Sequence, residues 1–500
     1  MQSKRDQAQA HTFVMSRLAS GMLLGEPDAA ESPHGRTTRG TLIGIVITVL
    51  IAAGALVYGL ISPGGNDSWR TSNSLIVNKD TGGRYLFIKG RLRPVRNYAS
   101  ALLISGGGLA TTDVRTGSLR GTPVGTPVGI QGAPDHVPGA ADLESDPWHV
   151  CSTLRSVQDA ATGGTTATAV TTLVAGAPVE STGVGDQRAV LVSGPEQSAY
   201  LVWRGSRLKL DKGSGAAVSL GYGSVTPRPV SAAFLDALVP GPDLAPPDVP
   251  GRGEAGPSLG GRDSKVGQVF QIGVPGAAPT YYLLRKEGLV PLTATGAALV
   301  LGDPATREKA YDGRSPLAAE LGANVLTEHQ APGDEGRSLA TSGMPSSPPA
   351  ATSVPKDQAA CARVEPGSGG TKVTTVLVPV ASLVPLAQAA ADEVTPACLP
   401  VNAAVVRPGR GVLVRALAAD GTQVGNATFL VGDNGVKYRV PDAEALKALG
   451  YSESAVKPLP SPLLAMLPSG PDLSLAAAAS GTSAAGSVTP VSCHESRDDK

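Results

Sequence analysis

The apolar positions of this 500-residue chain fall into three regimes. The first is a stripe. In "RDQAQAHTFVMSRLASGMLLGEPD" (5–28), apolar residues recur four apart at Ala10, Val14, Leu18 and Met22, which places them on one face of a helix. Gly25 and Pro27 stop the pattern, so it predicts an amphipathic helix over 6–25. Such a helix has no core on its own side to pack into. It should rest on a partner or on a membrane surface, and its few basic residues favour a protein partner.

The second regime is a block. "TLIGIVITVLIAAGALVYGLI" runs from Thr41 to Ile61, 21 residues without a charge. As a helix it would be about 30 Å long, the thickness of a bilayer's hydrocarbon core. The apolar region of a signal peptide is shorter, about 7–15 residues. Here the run ends in Ser62-Pro63-Gly64-Gly65, a helix stop, and its internal glycines are common in membrane helices. The pattern predicts a cytoplasmic segment over 1–40 and a transmembrane helix over 41–61. Arg36 and Arg39 precede the block, with Lys4, Arg5 and Arg17 further back, whereas Asp67 and Arg70 follow it. That bias puts the N-terminus in the cytoplasm and the rest outside. The basic cluster Arg84, Lys89, Arg91, Arg93 and Arg96 lies more than 20 residues downstream, where charge carries little weight.

The third regime is short arms around turns. "YLFIKGRLRPV" (85–95), "YLVWRGSRLKL" (200–210), "YLLRKEGLVPL" (282–292) and "FLVGDNGVKYRV" (429–440) each open on an aromatic and Leu, with Gly five or six positions later. Two apolar arms about a Gly-containing turn read as a β-hairpin. A short apolar segment with helical character follows each one: "NYASALLI", "SAAFLDALV" (after a Gly-rich gap), "TATGAALV" and "DAEALKAL". Four hairpin-plus-helix units result, near 75–110, 188–250, 265–305 and 410–475. Their uneven spacing argues against a tandem solenoid. A larger duplication is also visible, because Cys151 with "GGTTATAVTTLV" parallels Cys361 with "GGTKVTTVLV", and "GPDL" recurs at 241–244 and 470–473. The reading is an α+β, mainly β protein. Its domain over 62–477 has a central β core built from two related halves and surrounded by four repeats. The polar stretch 327–360 reads as a flexible loop, and 478–500 as a disordered tail.

Composition narrows the function. Lys plus Arg and Asp plus Glu are 42 each, so no basic excess points to nucleic acid. Aromatics are 4% of the chain, so the core must come from Val, Leu, Ala and Ile. Cys151, Cys361, Cys398 and Cys493 all follow the span; three pairings exist and spacing does not choose between them. No pair has zinc-like spacing, and the six histidines are scattered. The chain has no Gly-Lys dipeptide and therefore no Walker A loop. "GRGEAG" (251–256) and "GPSLG" (256–260) match nucleotide and nucleophile-elbow patterns. Neither has the strand and helix that the chemistry requires, so both read as surface loop.

Several segments, in order along nearly the whole chain, resemble the EccB family of the type VII (ESX) secretion system. They are "QAQAHTF" (7–13), "SPGGNDSWR" (62–70), "IVNKDTGGRYLFIKGRLRPVRNYASALL" (76–103), "GIQGAPDHVP" (129–138), "WHVC" (148–151) and "VGQVF" (266–270). The most specific piece is carried by Gly90, Leu92, Pro94, Val95, Asn97 and Ser100. The resemblance implies a core subunit of a secretion complex in the plasma membrane, with an elongated extracytoplasmic body of four repeats. The implied partners are an EccC-like motor ATPase, EccD-like and EccE-like membrane subunits and a MycP-like protease. It also implies a disulfide between Cys151 and Cys361. Cys398, Cys493 and the long tail depart from the family pattern, and those two cysteines form the candidate second pair. Some family members carry an ATPase label. The residues give it no support, so the expectation is a scaffold with no cofactor, no metal and no catalytic residue. The rivals are an ATP hydrolase and a cell-wall anchor that uses the basic hairpin.

Overall fold

A computed structural model of the protein describes residues 3–25, 33–61, 67–71, 73–158, 165–273, 276–332, 343–367, 370–383, 394–418 and 421–480. Its contacts divide into two units. One comprises 1–72, 76–83 and 112–122; the other comprises 73–75, 84–111 and 123–500.

The first unit carries the two N-terminal helices. The helix Lys4–Leu24 starts at Ser3, whose side chain accepts the Arg5 N–H while Asp6 accepts the Ser3 N–H, and it ends at Gly25 in the left-handed region. The helix Pro33–Ile61 contains one candidate membrane span, Thr37–Tyr58, with mean hydropathy 2.5 and no buried residues. It begins ahead of the apolar block, where Pro33 suits a first helical position.

The second unit is built on a six-stranded sheet. Its order is Ala403–Val405, Thr165–Val174, Trp148–Gln158, Gln358–Gly367, Gly370–Pro379 and Thr182–Gly183. The two inner strands run antiparallel, with Cys151 opposite Cys361, Ser152 opposite Ala360 and Val150 opposite Ala362. Each then turns back as a long hairpin. The two halves of the sequence duplication therefore meet at a local two-fold axis that passes between the cysteines. One face packs Trp148, Val150, Leu173, Ala360, Ala362 and Val364 against residues of the second and fourth repeats, including Val192, Phe234, Val414 and Leu459. The other face buries Cys151, Cys361, Val174, Val376, Val378 and Leu383.

The four repeats share one topology. In the third, Val269–Ile272, Thr280–Arg285 and Gly288–Leu292 form an antiparallel meander; the helix Ala294–Gly302 follows, and Ala319–Glu320 returns parallel to the first strand. The fourth repeat does the same with Val412–Leu417, Gln423–Val431, Lys437–Val440, the helix Ala443–Ala448 and Lys457–Pro460. In the second, the strands are Arg188–Ser193, Ala199–Trp203, Ser206–Lys209 and Arg228–Pro229. The first repeat, Ser74–Asn78, Arg84–Ile88, Arg91–Pro94, the helix Tyr98–Ser105 and Ala110–Val114, has the same strand order. Polar caps start the helices: Asn97, Thr293 and Asp442 each accept a backbone N–H three residues on.

Four details differ from the sequence reading. In the second repeat, the helix after the hairpin is Ala216–Ser219, four residues between glycines and too short to show a period. "SAAFLDALV" instead supplies Ala232–Asp236, after the fourth strand, where the fourth repeat has Ser461–Ala465. The stretch 327–360 is not all loop. The helix Ala323–His329 enters it, Ala350–Ala351 pairs with Arg188 and Ala189, and Gln358 already belongs to the central sheet. Its residues 333–342 lie outside the described residues. The tail read as disordered from 478 starts later, because the helix Leu475–Ser480 buries Ala478, whose carbonyl accepts the Gly129 N–H; from 481 it lies outside the described residues.

Candidate functional site

The chemistry-like motifs have structural uses. In "GRGEAG", the Gly253 N–H donates to Val266 O, the Gly256 N–H to Ser264 O and the Glu254 N–H to Gly251 O. Amides spent inside the loop are not free to cradle a phosphate. Arg252 of this loop pairs with Asp303, the residue that caps the helix Pro304–Lys309. Among the described residues no group of three or more His, Cys, Asp or Glu converges as a metal site would require.

The N-terminal helix is the exposed feature. Ala10, Val14, Leu18 and Met22 all face solvent, and Met22 is 82% exposed. Phe13 at 65% and Leu23 at 72% join them, which makes the apolar surface wider than the four-residue stripe. Both stand one position beside a stripe residue, the signal that a strict four-residue period overlooks. Ser16, Ser20 and Gly21 are the shielded positions among the described side chains of this helix, and Ser20 turns its hydroxyl onto the Ser16 carbonyl. An amphipathic helix that keeps its apolar face in water is built to be covered.

The family-motif residues hold a fold together. Lys89 and Gly90 both take positive φ, 50° and 75°, and form a tight hairpin turn between Arg84–Ile88 and Arg91–Pro94. Leu92 and Val95 are buried. The Leu92 N–H donates to Pro123 O and the Val128 N–H donates to Pro94 O, so the edge strand is stitched to the loop that follows. Asn97 Oδ1 accepts from the Ser100 backbone N–H at 3.1 Å and from the Ser100 hydroxyl at 2.6 Å. Asn97 Nδ2 donates to Ile130 O at 2.6 Å, while Ser100 Oγ accepts from Ile130 N at 2.8 Å. Both side chains are buried, and this closed network satisfies them.

The basic hairpin is partly neutralised. Arg84 reaches Asp135 at 2.7 Å, and Arg93 donates to Thr126 O and Oγ1. Lys89, Arg91 and Arg96 remain exposed.

Cys151 and Cys361 are bonded across the sheet centre, both fully buried. Cys398 is not a free thiol; Cys493 lies outside the described residues. Two positions from Cys151, His149 is 1% exposed, and neither ring nitrogen has a hydrogen-bond partner among the described residues. Sequence gave no sign of it. Burial, helped by the Arg363 guanidinium, pushes its pKa from 6.5 down to about 4. The unfolded chain takes up a proton near pH 6.5, which the folded chain refuses until about pH 4. Stability from this group is therefore intact above pH 6.5 and falls as pH drops toward 4, by about 3 kcal/mol. Urea midpoints for wild type and His149→Phe should diverge below pH 6.5, the wild type losing more. Parallel curves would mean that His149 is hydrated in solution.

Comparison with known proteins agrees over the whole architecture. Residues 1–485 match the family model described as "Type VII secretion system ESX-1, transport TM domain B". The chain is 29% identical to the "ESX-3 secretion system ATPase EccB3" of Mycolicibacterium smegmatis, over 94% of this chain and 89% of the relative. It is 28% identical to the "ESX-1 secretion system ATPase EccB1" of Mycobacterium tuberculosis, over 93% and 92%. Among solved structures, it resembles the EccB3 dimer from the ESX-3 core complex with TM-score 0.63 and 25% identity, covering 81% of this chain and 99% of that one. A chain of an intact ESX-5 inner membrane complex shares the fold with TM-score 0.60 at 24% identity, covering 96% and 95%.

Proposed function

The chain belongs to the EccB family of type VII secretion systems, and from that membership we propose that it is a structural, membrane-anchored core subunit of such a secretion complex. The match over residues 1–485, which takes in the exposed helix, the span and the repeats together, carries the reading. In this reading Thr37–Tyr58 crosses the plasma membrane with the N-terminus in the cytoplasm, where Arg36 and Arg39 favour retention. The repeat body lies outside. The apolar face around Phe13, Leu18 and Met22 docks on a cytoplasmic or membrane subunit. The partners are an EccC-like motor ATPase, EccD-like and EccE-like membrane subunits and a MycP-like protease. The outer body self-associates, as the EccB3 relative does in its dimer. The subunit takes no cofactor of its own.

Co-purification tests this. A C-terminal tag, mild detergent and mass analysis should recover a megadalton-scale assembly that contains a motor ATPase and a multispan subunit. A small oligomer that hydrolyses ATP after stringent washing would replace the scaffold with the hydrolase reading that the relatives' names carry. Deleting residues 5–25 should remove the partners from the pull-down and leave the melting of the repeat body unchanged. Full recovery of the assembly by the deletion would show that the exposed helix is not the docking element.

A further inference from the structure

The four repeat hairpins share one topology but not one charge balance. Between positions 74 and 135 the chain carries eight Lys and Arg against three Asp and no Glu, although its totals are equal at 42 each. The three carboxylates are engaged locally. Asp135 pairs with Arg84, Asp113 with Lys79, and Asp80 accepts the Thr116 N–H at 2.8 Å. That leaves Lys89, Arg91, Arg93 and Arg96 without a carboxylate partner among the described residues. The other hairpins are compensated. Arg204 pairs with Asp186 and Arg207 with Asp236 in the second, Lys286 with Glu254 in the third, and Arg439 with Asp472 in the fourth.

The uncompensated cations form a row. The segment 123–129 runs parallel to Arg91–Pro94 on its outer side, with Leu92 beside Val124 and Val95 beside Val128. A methyl on Gly125 would meet Arg93 Cγ at 3.3 Å and Arg91 Cβ at 3.7 Å, so both stems lie on the same side, over that glycine. Arg93 is held there by its bonds to Thr126 O and Oγ1. Lys89 stands in the turn before them. Arg96 follows the strand, its Cβ 3.2 Å from where a methyl on Gly129 would lie. Lys89, Arg91 and Arg96 are exposed. The stretch "GTPVGTPVGIQGAP" (121–134) that lines the row carries no charge. Residues two apart on a strand are about 7 Å from one another, so these cations repel, and a counter-charge from outside relieves them.

We propose that this row binds the anionic phosphate headgroups of the membrane surface on the side of the repeat body. The inference rests on the anchor reading above. The candidate span ends at Tyr58 and this hairpin opens at Arg84, whereas the others open at Ala199, Thr280 and Gln423. The hairpin that the chain builds first after the span is thus the one whose cations are left uncompensated. Each guanidinium takes a phosphate in its own fork, so a row of separate cations suits a fluid layer of headgroups and needs no shaped partner. Each cation beside an anionic bilayer strengthens the association about fivefold, and salt screens the effect.

The test uses the full-length chain in phosphatidylcholine nanodiscs, with and without about 30% phosphatidylglycerol. Lysine acetylation by a neutral, water-soluble reagent is read by mass spectrometry. At Lys89 it should slow about fivefold or more in the anionic discs and recover at high salt. Lys286, paired with Glu254 in the third repeat, should react alike in both. Arg91→Glu with Arg96→Glu changes two exposed side chains that have no partner among the described residues, so melting should stay unchanged while the lipid dependence at Lys89 disappears. If the chain stays in both discs through an alkaline wash and Lys89 reacts alike in them, the row does not bind lipid and the anchor reading stands. If the double variant keeps the full lipid dependence, the inference fails as well. If the chain washes off the neutral discs but binds the anionic ones with Lys89 shielded, the row stands and the anchor reading falls. Shielding of Lys89 in neutral discs once the co-purified subunits are added would give the row to an acidic protein face and overturn the inference.

Discussion

Replacing Cys151 and Cys361 together by Ala should lower the stability of the repeat body by about 5 kcal/mol. The bond joins residues 210 apart, and a closed loop of that length removes about 5 kcal/mol of freedom from the unfolded chain in the entropy model. The loop encloses the second and third repeats entire. Both sulfurs are fully buried, so mild reductant on the folded protein should act slowly, and the double variant is the cleaner probe. Ala in place of buried Cys leaves a small cavity and no orphaned donor, which keeps the packing contribution minor. The denaturant midpoint should fall, and limited proteolysis should open first between the two halves. An unchanged midpoint would mean that the register of the two inner strands alone fixes the halves.

That register also marks where the sequence stopped being readable. The apolar block, the four-residue stripe and the four aromatic-Leu-Gly hairpins are local patterns, and each has its element in the structure. The duplication around Cys151 and Cys361 was visible too, but not the way its halves face one another. Pairing between residues 210 apart leaves no periodicity to read. The closing strands Arg228–Pro229 and Ala319–Glu320 have two residues each, below any pattern, and their place is set by the helix that returns the chain beside the first strand. At the site level, the stripe of Ala10, Val14, Leu18 and Met22 was legible because helical geometry alone produces it. The network of Asn97, Ser100 and Ile130 was not, because Ile130, whose N–H and carbonyl close it, comes from a loop about 30 residues on. His149 gave no signal at all. A lone histidine in a strand is buried or exposed according to what the second half of the chain lays over it.

Gly205→Ala should be nearly as damaging as loss of the disulfide, and its twin in the first repeat should not. Arg204 and Gly205 form the second repeat's hairpin turn, both at positive φ, 51° and 80°. Lys89 and Gly90 form the same turn in the first. An L-residue in that conformation costs about 1–2 kcal/mol at either place. The surroundings then separate them. A methyl at Gly90 meets nothing within 4 Å, whereas one at Gly205 would lie 2.1 Å from the Val373 carbonyl oxygen and 2.9 Å from the Thr374 nitrogen. Those are backbone atoms of the central sheet and cannot swing aside as a side chain would. The turn must lift, which breaks the bond from Gly205 N–H to Thr375 and costs about 1–3 kcal/mol more. Gly205→Ala should therefore lose about 2–5 kcal/mol in chemical denaturation, and Gly90→Ala about 1–2 kcal/mol. Equal losses would place the second repeat's turn away from the sheet. The larger loss at Gly205 would establish that this turn caps the outer half of the second hairpin, Gln358–Gly367 with Gly370–Pro379.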